Sequence, residues 1–324
     1  MTTEKRVLVC GASGFLGFNL FDALSRRKDL DVRGTYQSNR YRRFNLDSLH
    51  NQRRLDRTDL TDPEQVSRIT KNFDVVIQAA AYSTGAKDAK ERPYTQITPN
   101  AIINSLVFQA AFDNNVSQVI FPSCSVMYPS SNEPSREIDV DRNNLWGPYF
   151  GAANMKLYSE ALCQFFAGLG KTKFTAIRPS NIYGPNDRFD PDRSHVFGAT
   201  IRKVLESQDG KVVVWGQGQE VRDFLYVEDF IRFVEKVIDK QDYAFDVFNA
   251  GLGEAVTIKE LVEKVIKVSG KDLEIVYDPE GPSIGTKIRL DISKAKAKFD
   301  WQPLVSLDDG IAKTLEWYRQ KEGK

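Results

Sequence analysis

The chain has 324 residues, roughly twice the usual length of one domain, which predicts a large core with a smaller appended unit and excludes a minidomain or peptide-like binder. Lys and Arg number 45 against 44 Asp and Glu, so the net charge of +1 gives no global field for nucleic acid or an anionic membrane, and neither is expected as a partner. Hydrophobic residues at 41%, charged residues at 27% and a mean hydropathy of -0.42 predict a soluble globular chain and exclude membrane burial of most of it.

In chain order, strand-length apolar runs fall at 7–10, 32–36, 75–79, 119–123 and 174–178, with helical spacing at 19–26, 63–71, 101–114 and 154–168. Strands alternating with helices predict an α/β fold, a doubly wound parallel sheet covered on both faces, because each parallel pair needs a crossover. Beyond residue 180 the rhythm loosens. Loops rich in Pro and Asp at 184–191 and 278–285 bracket helices at 197–206, 227–238 and 258–268. Strands at 212–215 and 246–249 are placed to rejoin the sheet, so the second unit is expected to interleave with the first.

Cys10, Cys124 and Cys163 are the only cysteines, an odd and sparse set that builds no disulfide framework and suits a reducing compartment. The first strand begins after six polar residues, which leaves no room for a signal peptide and points to the cytoplasm. His50 and His195 are the whole histidine supply, so a three-histidine zinc site is excluded and no metal is expected.

The first strand runs into Gly11, Ala12, Ser13, Gly14, Phe15, Leu16 and Gly17, a G-x-x-G-x-x-G loop that opens a helix. Backbone amides at a helix start face a pyrophosphate, and glycines allow close approach, so this context marks a dinucleotide site. At the end of the second strand no acid is present to accept from a ribose diol. Ser38 is followed by Arg40, Arg42 and Arg43, which favours the 2′-phosphate of NADP over NAD, the alternative being a solvated basic loop. Asp59 and Leu60 are candidates for flanking adenine, with a plain helix cap at Asp59 or Asp62 as the other reading. Ala79, Ala80 and Ala81 end the next strand with small side chains that permit close approach to the cofactor, or simply tight packing.

Together these residues resemble the extended short-chain dehydrogenase/reductase family, also called the NAD-dependent epimerase/dehydratase family. Residues 178–185 (RPSNIYGP), 194–196 (SHV), 212–216 (VVVWG), 222–227 (RDFLYV), 285–287 (GTK) and 301–303 (WQP) look like its GDP-L-fucose synthase branch. The resemblance implies a Rossmann NAD(P)-binding domain over 1–180 with a returning part near 211–250. It also implies a mainly substrate-binding domain over 181–324, a nucleotide-sugar substrate and a homodimer built on two long helices per subunit. It implies that Ser123, Pro179, Ser180 and Asn181 line the nicotinamide end. Asn181, His195, Lys203, Trp215, Arg222 and Lys287 then face the nucleotide-sugar. For Arg222 a structural pairing with Asp223 or Asp229 is the alternative, and for Trp215 a plain core role.

The family carries Tyr and Lys four apart on one helix, the ammonium favouring the phenolate and holding the nicotinamide ribose. Lys156, four before Glu160, matches the lysine, but the position four before it is Ala152. Tyr149 is seven residues before Lys156, about 10 Å along a helix, and partners it only if the helix starts after Tyr149 and the loop folds back. Tyr149 is the candidate acid/base, with lining of the sugar site as the alternative. After the fourth strand, Cys124 stands at the family's active-site hydroxyl position with Ser125 beside it, and Val126 stands where the fucose synthase branch has an epimerising cysteine. His195 matches that branch's other acid/base residue. The resulting expectation is an NAD(P)-dependent oxidoreductase acting at C4 of a nucleotide-sugar, as a GDP-4-keto sugar reductase or a GDP-sugar dehydrogenase. The alternatives are an epimerase that retains NAD(H) and a non-catalytic NADP sensor.

Overall fold

Strand β1 (Lys5–Cys10) divides the core by simple alternation: Val7 and Val9 point into one apolar cluster, Leu8 and Cys10 into another on the opposite face. A strand buried on both faces requires helices above and below it. The computed structural model describes residues 4–37, 54–83, 92–145, 147–190, 194–281 and 285–322.

Helix α1 (Phe15–Leu24) starts at the Gly14 N-cap, four residues earlier than its periodicity suggests, and leads to β2 (Leu30–Tyr36) and β3 (Leu55–Arg57). Then come α2 (Pro63–Ile69), β4 (Val75–Gln78), α3 (Ile97–Asp113), β5 (Gln118–Pro122), α4 (Phe150–Gly168) and β6 (Lys173–Pro179). After β7 (Asn181–Tyr183) lie α5 (Val196–Glu206), β8 (Lys211–Trp215), β9 (Val221–Arg222), β10 (Phe224–Tyr226), α6 (Val227–Lys240) and β11 (Phe245–Ala250). The chain ends with β12 (Val256–Thr257), α7 (Ile258–Ser269), β13 (Glu274–Asp278), β14 (Lys287–Ile288), α8 (Ser293–Phe299) and α9 (Leu307–Glu322).

Seven parallel strands form the central sheet in the order β11-β6-β5-β4-β1-β2-β3. One face packs on Val66, Ile103, Val107, Phe108, Cys163 and Ala167 of α2, α3 and α4. The other packs on Leu20 and Phe21 of α1 together with Phe230 and Phe233 of α6 and Phe299 of α8. The second half of the sequence therefore supplies an edge strand and part of one covering layer. Of the two strands expected to rejoin the sheet, β11 does so. The other, β8, pairs in parallel with β13 in a separate two-stranded sheet, because its inward Val212 and Val214 are claimed by a third cluster with Phe197, Val204, Leu261, Val265 and Ile311. Among the described residues, no helix is long and apolar enough to cross a membrane.

Candidate active site

The loop leaving β1 touches the end of β4 at Gly11. Its φ is +79°, and a Cβ there would stand 2.6 Å from the Ala80 Cα, so the position is closed to other residues. In the first turn of α1, a Cβ on Gly17 would meet the Gly11 carbonyl oxygen at 2.1 Å. Strand β2 holds the loop from the side: Ala12 N donates to Thr35 O at 2.8 Å and Gly11 N to Thr35 Oγ1 at 3.0 Å. Gly14 offers no side-chain cap and the first turn carries no acid, which leaves the amide end of α1 suited to an anion. Ser13, Gly14, Phe15 and Leu16 are half-buried around it, as are Ala79 and Ala80, while Ala81 is exposed. This backbone cradle fits the pyrophosphate of a dinucleotide.

Ser38, Arg40, Arg42, Arg43 and His50 lie outside the described residues. Asp59 accepts from Thr61 N at 2.9 Å and Thr61 Oγ1 at 2.7 Å, and Leu60 is buried with Val66 and Phe73. The helix cap belongs to Asp62, which accepts from the amides of Glu64 and Gln65.

A buried polar chain supports the turn after β5. Ser123 Oγ donates to Glu160 Oε1 at 2.6 Å, and Arg178 grips the same carboxylate through Nε at 3.0 Å and Nη2 at 2.7 Å. Arg178 Nη1 also donates to the Tyr128 hydroxyl at 3.0 Å, which donates to Asn249 Oδ1 at 2.6 Å. Both ends of the turn carrying Cys124 and Ser125 are thus tied to α4, β6 and β11. One helical turn before Glu160, Lys156 Nζ donates to Pro122 O at 2.9 Å and lies 4.6 Å from the centroid of the Phe121 ring. Burial pushes the Lys156 pKa down and the Cys124 thiol up, and the two groups stand close enough to offset part of each other's shift. Val126 packs, half-buried, against the small cluster of Met127, Ala153 and Leu157.

Helix α4 begins just after Tyr149, which is its N-cap, and the chain enters it from the 3-10 turn Gly147–Tyr149. Lys156 follows two turns into the helix. Burial pushes the Tyr149 phenol pKa up, with the Arg222 guanidinium opposing that shift and Cys124 adding to it. Helix α4 runs through Gly151 and Ala152 to Lys156, so the helix starts after Tyr149 as a Tyr149–Lys156 partnership requires.

Opposite this cluster, Asn181 N and Nδ2 donate to the Asp223 carbonyl at 3.1 and 3.0 Å, and Pro179 and Ser180 are buried just before it. Arg222 donates to Val221 O at 2.9 Å and to Thr286 O. Burial lowers its pKa, against the pull of Tyr149 and Glu220. The carboxylates of Asp223 and Asp229 serve other groups: Asp223 accepts from the amides of Leu252, Gly253 and Leu290, Asp229 from Arg232 and the amides of Leu304 and Val305. Lys203 Nζ donates to Val213 O at 2.9 Å and stands 4.6 Å from the centroid of the half-buried Trp215 ring. Lys287 is exposed and donates to Asn132 Oδ1 at 3.2 Å. His195, the N-cap of α5, is exposed, and desolvation by surrounding protein, with Arg188 adding to it, lowers its pKa. Beside His195 and Arg222, the hydroxyls of Ser194 and Thr286 are buried without a partner among the described residues, which suits a polar ligand.

Residues 7–251 match the model of the NAD dependent epimerase/dehydratase family. This chain belongs to that family. A relative described as putative GDP-L-fucose synthase 2 of Arabidopsis thaliana is 32% identical, covering 82% of this chain and 81% of the relative. The dTDP-4-dehydro-6-deoxy-D-allose reductase of a Streptomyces species is 30% identical, covering 97% and 96%. Among solved structures, the UDP-glucose 4-epimerase of Thermotoga maritima with UDP-glucose superposes with a TM-score of 0.86 at 26% identity, over 98% of this chain and 99% of that one. As a member of the epimerase/dehydratase family, the protein is an NAD(P)-dependent enzyme that modifies nucleotide-sugars.

Two features of this family member were not singled out from sequence. By spacing Glu160 only marks Lys156, yet with Arg178 it is the buried support of the Cys124 turn. By sequence Asp223 is only a candidate partner of Arg222, yet its carboxylate joins the segments after β11 and β14, and its carbonyl accepts from Asn181. An acid between β9 and the apolar run Phe224–Tyr226 is the available signal, since a buried carboxylate needs several donors.

Proposed function

We propose that the protein is an oxidoreductase acting at C4 of a nucleotide-sugar, working as a GDP-4-keto sugar reductase. What supports this reading is Lys156 against Pro122 O, beside the Cys124 turn at the carboxyl end of β5, in the same sheet whose β1 presents the Gly11 loop. The dinucleotide supplies hydride when bound. Lys156 holds the nicotinamide ribose, Asn181 and His195 orient the sugar, and Arg222, Lys203 and Lys287 provide directed positive charge for the diphosphate. Val126 has no proton to exchange where the fucose synthase branch carries its epimerising cysteine, which favours plain reduction over double epimerisation. GDP is preferred because of the branch resembled and the GDP-named relative, and a C4 ketone because of the allose reductase. NADP is the preferred cofactor on the strength of Arg40 and its neighbours.

The likeness to a UDP-glucose 4-epimerase favours a second reading, an epimerase that keeps its NAD(H). Absorbance of retained nicotinamide in the purified protein, followed by NADPH and NADH consumption with GDP-, dTDP- and UDP-4-keto sugars, separates the two. Tight dinucleotide binding without turnover of any of them rejects both and leaves a sensor. A second copy of the chain is the proposed partner of the outer face of α3 and α4, where Ile102, Tyr158 and Phe165 are 41%, 49% and 58% exposed. Light scattering of the purified protein tests that dimer, and a monomer at micromolar concentration rejects it.

A further inference from the structure

Two parts of the proposed site come from distant stretches of the chain. The turn that carries Cys124 and Ser125 leaves β5, whereas Arg222 and Lys287, proposed above for the diphosphate, sit on β9 and β14, which pair in parallel with Ile288 opposite Arg222. The segment running on from the turn lies along β14 and forms a seam with it. Lys287 N donates to Ser130 Oγ at 2.9 Å, Ser131 N to Lys287 O at 2.9 Å, Ser135 N to Arg289 O at 2.8 Å and Asp291 N to Ser135 O at 2.9 Å. Tyr128 stands where this seam meets the turn. Its buried ring packs on Ile288 and Leu290, and its hydroxyl accepts from Arg178 Nη1 at 3.0 Å while donating to Asn249 Oδ1 at 2.6 Å. Asn249, wholly buried on β11, carries the connection back to the seam, because its Nδ2 donates to Ser135 O at 2.9 Å and to Asp291 O at 3.0 Å. On the other side Arg178 holds Glu160, which holds Ser123. The Tyr128 hydroxyl is thus a direct bridge between the support of the turn and the side chain that fastens the seam.

We propose that Tyr128 is a positioning residue whose hydroxyl, through Asn249, sets the register between the strand pair that grips the diphosphate and the turn that carries Cys124 and Ser125. This deepens the oxidoreductase reading above and rests on it. A nucleotide-sugar anchored at its diphosphate places its reacting carbon correctly only if the span between strand pair and turn matches the ligand, and a misplacement of about 1 Å can slow a reaction about 100-fold. Binding energy from the nucleotide end then serves to place the sugar, and its loss appears in kcat while KM stays.

Tyr128→Phe in the full-length protein tests this. The ring keeps its packing on Ile288 and Leu290, and Arg178 Nη1 keeps its bond to Glu137 O at 2.9 Å, so the variant should fold. Calorimetry with GDP, UDP and dTDP, each alone, should give an affinity within about threefold of wild type for whichever binds, while kcat for the 4-keto sugar of that nucleotide falls about fivefold or more at a KM within about threefold. In a Lys287→Met background, where the grip is already weakened, the further loss should be smaller, so that the two losses combine to less than their product. If Tyr128→Phe does not fold, Ser130→Ala, which cuts the exposed end of the seam, reads the same split on a smaller scale, with kcat down about threefold and the affinity for the nucleoside diphosphate kept. A smaller loss of kcat, a larger loss of affinity or KM, or losses that simply multiply, as damage to the fold alone would give, overturns the proposal and leaves the oxidoreductase reading standing. A wild-type protein that binds none of the three nucleoside diphosphates, or turns over no 4-keto nucleotide-sugar, overturns that reading and the proposal with it.

Discussion

Replacing Glu160 by Gln keeps the shape of the side chain and removes its charge. The carboxylate it replaces is 5% exposed, the Arg178 partner is 6% exposed, and the two contacts of 3.0 and 2.7 Å are those of a bidentate pair. The new amide has one acceptor oxygen where the carboxylate served Arg178 twice and Ser123 once, and its NH2 group must face a donor. Removing one member of a buried ion pair strands the other charge, at a cost of about 3–5 kcal/mol. Against a typical total stability of about 5–15 kcal/mol that is a large share, readable by reversible urea unfolding. The double variant Glu160→Met/Arg178→Met removes both charges and should recover most of the loss, because well-packed apolar side chains avoid the desolvation that the pair suffers. The single variant should also lower kcat, since Ser123 anchors the turn that presents Cys124. A loss under about 1 kcal/mol for Glu160→Gln, or a double variant no better than the single one, would refute the reasoning.

Gly11→Ala places a methyl group 2.6 Å from Ala80 Cα at a φ of +79°, and should cost about 2–4 kcal/mol and weaken dinucleotide binding at least about tenfold by calorimetry. Asp223 has its carboxyl pushed up to about 6 by burial, in spite of its amide donors and Ser180. The folded protein therefore holds a proton between about pH 4 and 6 that the unfolded chain has released, so this group makes stability fall as pH rises through that window. Relative to Asp223→Asn, the wild type should lose up to about 3 kcal/mol between pH 4 and 7, and parallel stability curves would contradict the assignment. Burial holds the Cys124 thiol protonated at neutral pH, which predicts slow alkylation by iodoacetamide at pH 7 and marked acceleration at pH 9, followed by mass spectrometry. Rapid labelling at pH 7 would mean that a thiolate is already present.

The parallel sheet and its glycine loop were legible because their causes are local: alternation in 7–10, a loop of three glycines, and a helix directly after it. The return of β11 was legible too, as a short apolar run after a helix. Strand β3 escaped because three residues carry no period, and β13 because Glu274 and Asp278 frame its apolar centre. Helix α9 was missed among its charges, although Leu307, Ile311, Leu315 and Tyr318 mark a buried stripe at helical spacing. At the site, the sequence showed that Ala152 displaces the usual phenol, but the charges that act on Tyr149 depend on Arg222, 73 positions away. Pairings of that kind follow from tertiary placement, which spacing does not encode.

The central sheet borrows β11 for its edge and α6 and α8 for its cover, and Trp301 is locked under them by donating to Asp229 O at 3.1 Å. Cutting the gene near codon 180 would leave β6 with a naked flank and α1 with an uncovered apolar face. Swapping C-terminal halves between relatives would accordingly transplant an edge strand of the sheet and part of its cover. Chimeras that graft only the segments around β8, β9 and β13, which lie outside that sheet, keep the scaffold with its owner and isolate the proposed contacts of Trp215 and Arg222 for testing.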